Sequence, residues 1–392
     1  MEEYDVIVIG AGPGGSSVAE KCAENGLDVA LYEKRQEIGT PVRCAEGLSG
    51  GSVEALGKDI PDKCIAREIK GAVVFSPDGN SVDVDYGKGY ILERRMYDRW
   101  LAEEAARAGT KLKSKSPVKD IIKKDNYIKG VKGNFDGEEF ESRSKIVMDA
   151  SGVESKIARK AGINNSIEPV NIDSGFQYEM VDLDLKDSHK IELYFGNDIA
   201  PRGYIWIFPK DKDKANVGIG IGGGNYEKTA KQYLDEWIQS KPNIRRGSIT
   251  SVISGGIPVG GFLDNMVKNG LMTVGDAAHQ VNPIHGGGLK EATIAGQLAG
   301  KVITKAFEED NFSEDFLSQY NEKWWEERGQ KLKKVQKIRE VVEKLSDKDL
   351  NLLAKNLTGE EMISFTRGNK LGNLAKILMK KPGLISLARH LI

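Results

Sequence analysis

The chain has no excess of either charge, no long apolar run and few cysteines. Lys plus Arg number 57 against 58 for Asp plus Glu over 392 residues, so the bulk attraction that marks binders of nucleic acid or acidic polymers is missing. Nothing approaches the ~18 unbroken apolar residues of a spanning helix, and any membrane contact must be peripheral. Cys22, Cys44 and Cys64 have no metal-ligand spacing and make no even disulfide set, so a reducing cytoplasm and no metal centre are expected. The first apolar run has no basic region before it and reads as a strand, not a signal peptide. Repeats and low-complexity tracts are absent as well. The length leaves room for two or three domains sharing a large core.

Against these absences, residues 4–15 stand out. Tyr4-Asp-Val-Ile-Val-Ile9 is a buried strand that runs straight into Gly10-x-Gly12-x-Gly14-Gly15, and Glu33 closes the next apolar run, Val29–Tyr32. Strand, glycine turn, helix, strand and acid form the dinucleotide fingerprint in its full context. Gly10 permits the tight turn, Gly12 lets the backbone approach a pyrophosphate, and Gly15 allows close helix packing. The helix N-terminus offers free N–H groups and the positive end of its dipole to the phosphates, and Glu33 can accept from a ribose hydroxyl. FAD or NAD is expected here.

Farther along, a first helix is expected over 16–26 and a long glycine-rich loop over 35–60. A hairpin is expected around Pro77-Asp78-Gly79, then an amphipathic helix from Met96 to Ala108. Strands near 117–123, 126–133 and 145–150 complete a cofactor-binding topology. Five strand segments between 170 and 260 predict a separate, mostly antiparallel sheet, with a helix from Lys228 to Ser240. Leu271–Val274 returns as a strand, Gly288–Phe307 is helical, and helix continues from about 313. The expected organisation is α/β. A Rossmann-like FAD-binding domain (1–165 plus 262–308) is followed by an antiparallel-sheet substrate domain (166–261) and a helical C-terminal region (309–392).

Three segments choose FAD over NAD. Asp149-Ala-Ser-Gly152 follows a strand and precedes a helix. Gly275-Asp276 ends a buried strand, where the Asp276 carboxylate can meet a ribitol hydroxyl; Pro283-Ile-His285-Gly286-Gly287-Gly288-Leu289 then opens a helix whose N–H groups can face the flavin. Arg94 precedes the Met96 helix, where a guanidinium can reach the flavin or pyrophosphate. Each could be an ordinary turn; their order behind the fingerprint is what is specific.

With these segments and two more, the chain resembles the p-hydroxybenzoate-hydroxylase-type flavoproteins. Within them it is similar to the geranylgeranyl reductase family, in particular its archaeal-type digeranylgeranylglycerophospholipid reductases. The narrower likeness lies in Arg43-Cys44-Ala45-Glu46-Gly47-Leu48-Ser49, in Tyr204-Ile-Trp206-Ile-Phe208-Pro209 followed by Gly218-Ile-Gly220, and in Pro283–Leu289. It covers about residues 1–310. The resemblance implies FAD contacts at Gly14, Glu33, Cys44, Ala45, Gly47, Arg94, Val118 (through its backbone), Asp276, Gly288 and Leu289. The fingerprint adds Gly10, Gly12 and Gly15, and the glycine loop adds Gly286 and Gly287. It also turns Tyr204, Trp206 and Phe208, with Gly218 and Gly220, from an aromatic stripe that alone reads as core into a wall of an isoprenoid cavity. The Asp-Gly motif that touches NADPH in the hydroxylases is interrupted here, which weakens direct NADPH binding.

The implied activity is FAD-dependent reduction of isolated C=C bonds in geranylgeranyl chains of a lipid or its precursor. Cys44, His285 and an ordered water are the candidate proton donors, and His279 reads equally as a hydrogen-bonding spacer. The electron donor, whether ferredoxin, a nicotinamide or a deazaflavin, stays open. An FAD monooxygenase acting on an apolar substrate and a non-catalytic prenyl-lipid binder are the alternatives. Leucines mixed with Lys376, Lys380, Lys381 and Arg389 over 370–392 suit either packing on the domain or docking on the inner face of an anionic membrane.

Overall fold

Val6 to Val8 are fully buried, which only a strand covered on both faces can achieve. In the computed structural model, which describes residues 2–366 together with Lys376 and Met379, this strand (β1, Glu2–Ile9) sits inside a parallel sheet. It pairs with β2 (Val29–Tyr32) on one side and β9 (Glu138–Asp149) on the other. The sheet is extended in parallel by β6 (Lys111–Lys113) beyond β2 and β16 (Leu271–Thr273) beyond β9, and β15 (Val267–Lys268) closes one edge antiparallel. An antiparallel arm, β7 (Val118–Lys124) and β8 (Tyr127–Phe135), folds onto β9.

The first helix, Pro13–Glu24, starts three residues earlier than expected because proline suits a helix's first turn, where its missing N–H is no loss. It packs against helix Leu289–Glu308 at glycines. A Cβ on Gly296 would lie 2.6 Å from the Gly14 carbonyl oxygen, and one on Gly300 would lie 2.6 Å from the Lys21 Cβ. The two helices therefore approach closely and bring their N-termini to the same end of the sheet.

The second sheet runs β14 (Ser248–Pro258), β10 (Ile172–Val181), β13 (Ala215–Ile221), β12 (Tyr204–Pro209), β11 (Lys190–Phe195), β4 (Ile65–Phe75), β5 (Ser81–Leu92) and β3 (Gly47–Ser49). It is antiparallel except where β11 meets β4. Ile205, Ile207, Val217 and Ile219 face helix Ala230–Gln239, whose Leu234, Trp237 and Ile238 complete a core of their own. The alternate residues of β12, Tyr204, Trp206 and Phe208, look the other way.

Two expectations change. Strands β3, β4 and β5 fall inside the expected block 1–165 yet pair with the second sheet, because alternation announces a strand without naming its partner. The expected loop 35–60 contains β3 and a helix, Gly50–Leu56. Its glycines mark close approach: a Cβ on Gly50 would lie 2.5 Å from the Lys88 carbonyl oxygen. After helix Leu289–Glu308 the described chain is helical, including Gln330–Val342, Asp347–Asn356 and Gly359–Thr366. Among the described residues no helix is long and apolar enough to cross a membrane. The expectation for 370–392 lies outside the described residues, apart from Lys376 and Met379.

Candidate active site

The glycine turn is built around two different needs. Gly10 has φ +100°, and a Cβ there would lie 2.4 Å from the Ala150 carbonyl oxygen; a Cβ on Gly15 would lie 2.0 Å from the Gly10 carbonyl oxygen. Both glycines are required by the protein itself. Gly12 is not: a Cβ there meets no protein atom within 4 Å. It caps helix Pro13–Glu24, whose first turn has no side-chain cap and no acidic residue. Open space over uncapped N–H groups is a cradle for a phosphate. The Glu33 carboxylate spans the turn, accepting from Ala11 N and Arg35 N at 3.0 Å each. Backbone bonds from Lys115 and Ser116 to Arg35 and Glu33 bring the start of β7, and so Val118, to this end of the sheet.

A second cradle faces the first. Helix Leu289–Glu308 is capped by Gly288 with no side-chain cap, and a Cβ on Gly288 would lie 3.2 Å from Asp276 Oδ1. Burial pushes the Asp276 carboxyl above its ordinary value, with Arg94 opposing. The Arg94 guanidinium grips Asp98 through two bonds, of 3.0 and 2.9 Å, and lies beside the Cys44 thiol. Leu289 packs against the core cluster that contains Leu48, Tyr97 and Trp100 and so joins this helix to the one that carries Arg94. Two uncapped helix N-termini, Glu33, Asp276 and the glycine loop fit a dinucleotide flavin from adenosine to ring. FAD, held by these groups, fits the residues present.

The aromatic strand stands over that end. The Trp206 ring lies flat across β13: a Cβ on Gly218 would lie 2.4 Å from Trp206 Cζ2, and one on Gly220 3.7 Å from Cζ3. Gly218 and Gly220 are therefore the floor under an indole. Gly47 plays the same part for Phe208, whose ring lies 2.9 Å from its would-be Cβ. Trp206 Nε1–H donates to Gln177 Oε1 (2.8 Å), and Gln177 donates on to the Cys44 carbonyl (3.3 Å). Tyr204 donates its hydroxyl to the His285 carbonyl (2.9 Å), tying the strand to the glycine loop.

Between them opens a cleft lined by Tyr204, Trp206, Phe195, Ile257 and His285, with Val342 and Leu350 from the C-terminal helices. The His285 ring accepts Gly287 N–H at Nδ1 (3.1 Å), which leaves the proton of the neutral ring on Nε2. The loop leaves His285 exposed, while the protein packed on one side of the ring pushes its pKa below the ordinary histidine value, with Glu291 opposing. His279 is buried and bonds Gly261 O through Nδ1 (2.5 Å), as a spacer would.

Sequence reasoning missed the charges behind these groups. Arg339, on helix Gln330–Val342, reaches the carbonyls of Val259 and Pro283 (both 3.3 Å) and Asp173 (2.7 Å), so the C-terminal region braces the glycine loop. Glu46 and Lys210 are buried below the Cys44 loop. A charged residue in a polar stretch carries no local sign of burial; the only hint was that Glu46 lies inside a motif.

A family model described as FAD dependent oxidoreductase matches residues 5–169, and one described as geranylgeranyl reductase catalytic domain matches residues 171–257. The site is that of a flavin-dependent oxidoreductase, with FAD as its cofactor. The chain is 40% identical over 389 residues to the digeranylgeranylglycerophospholipid reductase of Methanocella arvoryzae, covering 98% of this chain and 97% of that protein. A geranylgeranyl bacteriochlorophyll reductase-like protein from Thermoplasma acidophilum superposes with a TM-score of 0.92 at 34% identity, over 100% of both chains. A flavin-dependent brominase, at 22% identity over 93% of this chain and 94% of its own, shares the fold with a TM-score of 0.75. The chain belongs to the geranylgeranyl reductase family, among its digeranylgeranylglycerophospholipid reductases.

Two predictions follow from this geometry. Gly12→Val should fold with the melting temperature of the wild-type apoprotein yet lose FAD affinity by at least about ten-fold, because its side chain fills the phosphate path. Gly15→Ala should lower the apoprotein's melting temperature as well, since backbone must move. Thermal unfolding and flavin absorbance read both, and equal behaviour of the two variants would contradict the division of labour.

Burial pushes the Asp173 carboxyl up to about 6, with Arg339 pulling the other way. The folded protein then binds this proton more tightly than the unfolded chain. The stabilising contribution is present at low pH and is lost as pH rises through about 6. Asp173→Asn removes it, so the wild-type melting temperature should fall relative to the variant's between about pH 4 and 7. Parallel melting curves across that range would refute the assignment.

Proposed function

We propose that the protein saturates isolated C=C bonds of geranylgeranyl chains in archaeal-type membrane lipids or their precursors. The observation that carries this reading is the aromatic face of β12, which opens on a cleft tied directly to the glycine loop of the flavin cradle through Tyr204 and His285. Aromatic and aliphatic side chains make most of its wall and suit an isoprenoid chain, while Asp173, Arg202, Arg339 and Glu343 form a charged side of the same cleft. The names of the curated relatives, and the catalytic-domain match over the strand itself, support the same substrate class.

Reduced FAD, when bound, supplies a hydride. An isolated alkene has no electron-withdrawing group to stabilise the carbanion that hydride addition alone would leave. A proton must therefore arrive before or with the hydride, and the protein's task is to hold one at a fixed place. Two side chains can do so. His285 lines the cleft, where its imidazolium form can give a proton, and the Cys44 thiol sits beside Arg94 with Glu46 N–H donating to its sulfur (3.1 Å). Tyr204 and Trp206 exclude water and align the chain. A separate electron donor re-reduces the flavin, and the basic, leucine-rich tail brings the cleft to the inner face of the membrane.

Anaerobic turnover of digeranylgeranylglycerophospholipid by the chemically reduced holoenzyme should yield products heavier by two hydrogens per bond, read by mass. His285→Gln and Cys44→Ser should retain FAD, and the variant that removes the proton holder should lose about 10²–10⁴ in rate. Oxygen-dependent hydroxylation with NADPH, and no anaerobic product, would show a monooxygenase instead.

A further inference from the structure

Below the Cys44 loop two opposite charges are buried almost completely: the Glu46 side chain is 3% exposed and the Lys210 side chain 2%. A buried ion pair seldom adds net stability over an apolar pair of the same size, since desolvation offsets the attraction. Its value lies in geometry, and here the geometry is unusually directed. Glu46 is held at φ +74°, in the left-handed region. Its Oε1 accepts the backbone N–H of Arg94 (2.9 Å), and its Oε2 accepts Lys210 Nζ (2.8 Å) and Asn216 Nδ2 (2.7 Å). Its own N–H donates to Cys44 Sγ (3.1 Å), and its carbonyl accepts Leu92 N–H (2.9 Å). Asn216 also donates to the Ala45 carbonyl (3.2 Å).

Lys210 directly follows Pro209, the last residue of the aromatic strand. Its ammonium meets Glu46, Glu179 (2.9 Å) and Glu93 (3.1 Å), one carboxylate for each of its donors. Burial would push this lysine down, but the three carboxylates outweigh it and hold it above the ordinary value. The thiol loop, the first turn of the Arg94 helix and the end of the aromatic strand thus meet at one charged node.

We infer that Glu46 and Lys210 are positioning residues that fix Cys44 and Arg94 against the flavin and the aromatic strand. The inference rests on the flavin-reductase reading for its effect on turnover, but not for its effect on the thiol. Cys22 and Cys64 are buried, so Cys44 is the cysteine of this chain open to alkylation.

The test uses holoenzyme of Glu46→Gln, Lys210→Met and the double variant. Readouts are melting temperature, FAD content, the rate of Cys44 alkylation by iodoacetamide, and anaerobic turnover of digeranylgeranylglycerophospholipid. Lys210→Met strands Glu46 without its ammonium and should lower the melting temperature. Glu46→Gln leaves Lys210 two carboxylates and should fold with FAD. The double variant should regain the wild-type melting temperature and FAD content. Turnover should nonetheless stay down by up to about a hundred-fold, the scale of a small misplacement at a reacting centre, with KM little changed. Cys44 alkylation should change about ten-fold in both Glu46→Gln and the double variant, a loss of loop geometry worth about 1.4 kcal/mol. Wild-type alkylation in these two variants would overturn the inference, as would turnover that returns together with melting temperature. If the wild-type enzyme leaves the lipid unreduced, the proposed lipid activity falls, and the alkylation rates still decide the positioning role.

Discussion

Close contact between two helices at glycine is the constraint on which the site depends. Helices Pro13–Glu24 and Leu289–Glu308 can pack this tightly only because Gly296 and Gly300 carry no side chain, and the first helix meets its own turn only because Gly15 carries none. Their N-termini therefore converge, both without side-chain caps. Two positive dipole ends at the same end of the sheet would repel each other if left alone, with Glu291 in the first turn of the second helix offsetting part of its own dipole. An anionic, hydrogen-bond-accepting cofactor resolves that conflict. The binding site is in this sense what close helix packing leaves unsatisfied.

What the sequence showed of this depended on how local each feature is. Gly10, Gly12, Gly15 and Glu33 were legible because strand, turn, helix and strand follow one another with no long-range information required. The motif of Tyr204, Trp206, Gly218 and Gly220 was legible as a pattern, but its cause was not. Trp206 and Gly218 face each other across β12 and β13, so the glycine is where the indole lies. The partner of β4 was illegible, since Ile65–Phe75 alternates as any half-buried strand does and its pairing with β11 joins residues far apart in sequence. Glu46, Lys210, Asp173 and Arg339 were illegible for a stronger reason. A charged residue announces solvent, and only the tertiary fold can supply the opposite charges that let it be buried.

The second sheet separates stability from chemistry strand by strand. On β12, Ile205 and Ile207 belong to the core under helix Ala230–Gln239, while Tyr204, Trp206 and Phe208 face the thiol and glycine loops. Period-two alternation assigns one face to holding the domain together and leaves the other free to vary with the substrate. A fold arranged this way can host different chemistries. The brominase shares the architecture at 22% identity, so the shared fold alone says little about the reaction. The reaction is set by what the free face and the loops opposite it carry.

The thiol loop and the glycine-rich Pro283–Gly288 loop are both held from behind by charges brought from elsewhere in the chain. Lys210 comes from the end of the aromatic strand, and Arg339 comes from the C-terminal helices. Each cation bonds groups on more than one segment, so a shift of either loop would break hydrogen bonds to a buried charge. That penalty is steep in a low-dielectric interior, and it converts flexible backbone into a fixed wall. An apolar alkene offers no polar handle by which an active site can orient it. Its position against the flavin depends on the placement of the walls, and the buried charges of this site act on the protein's own segments to fix that placement.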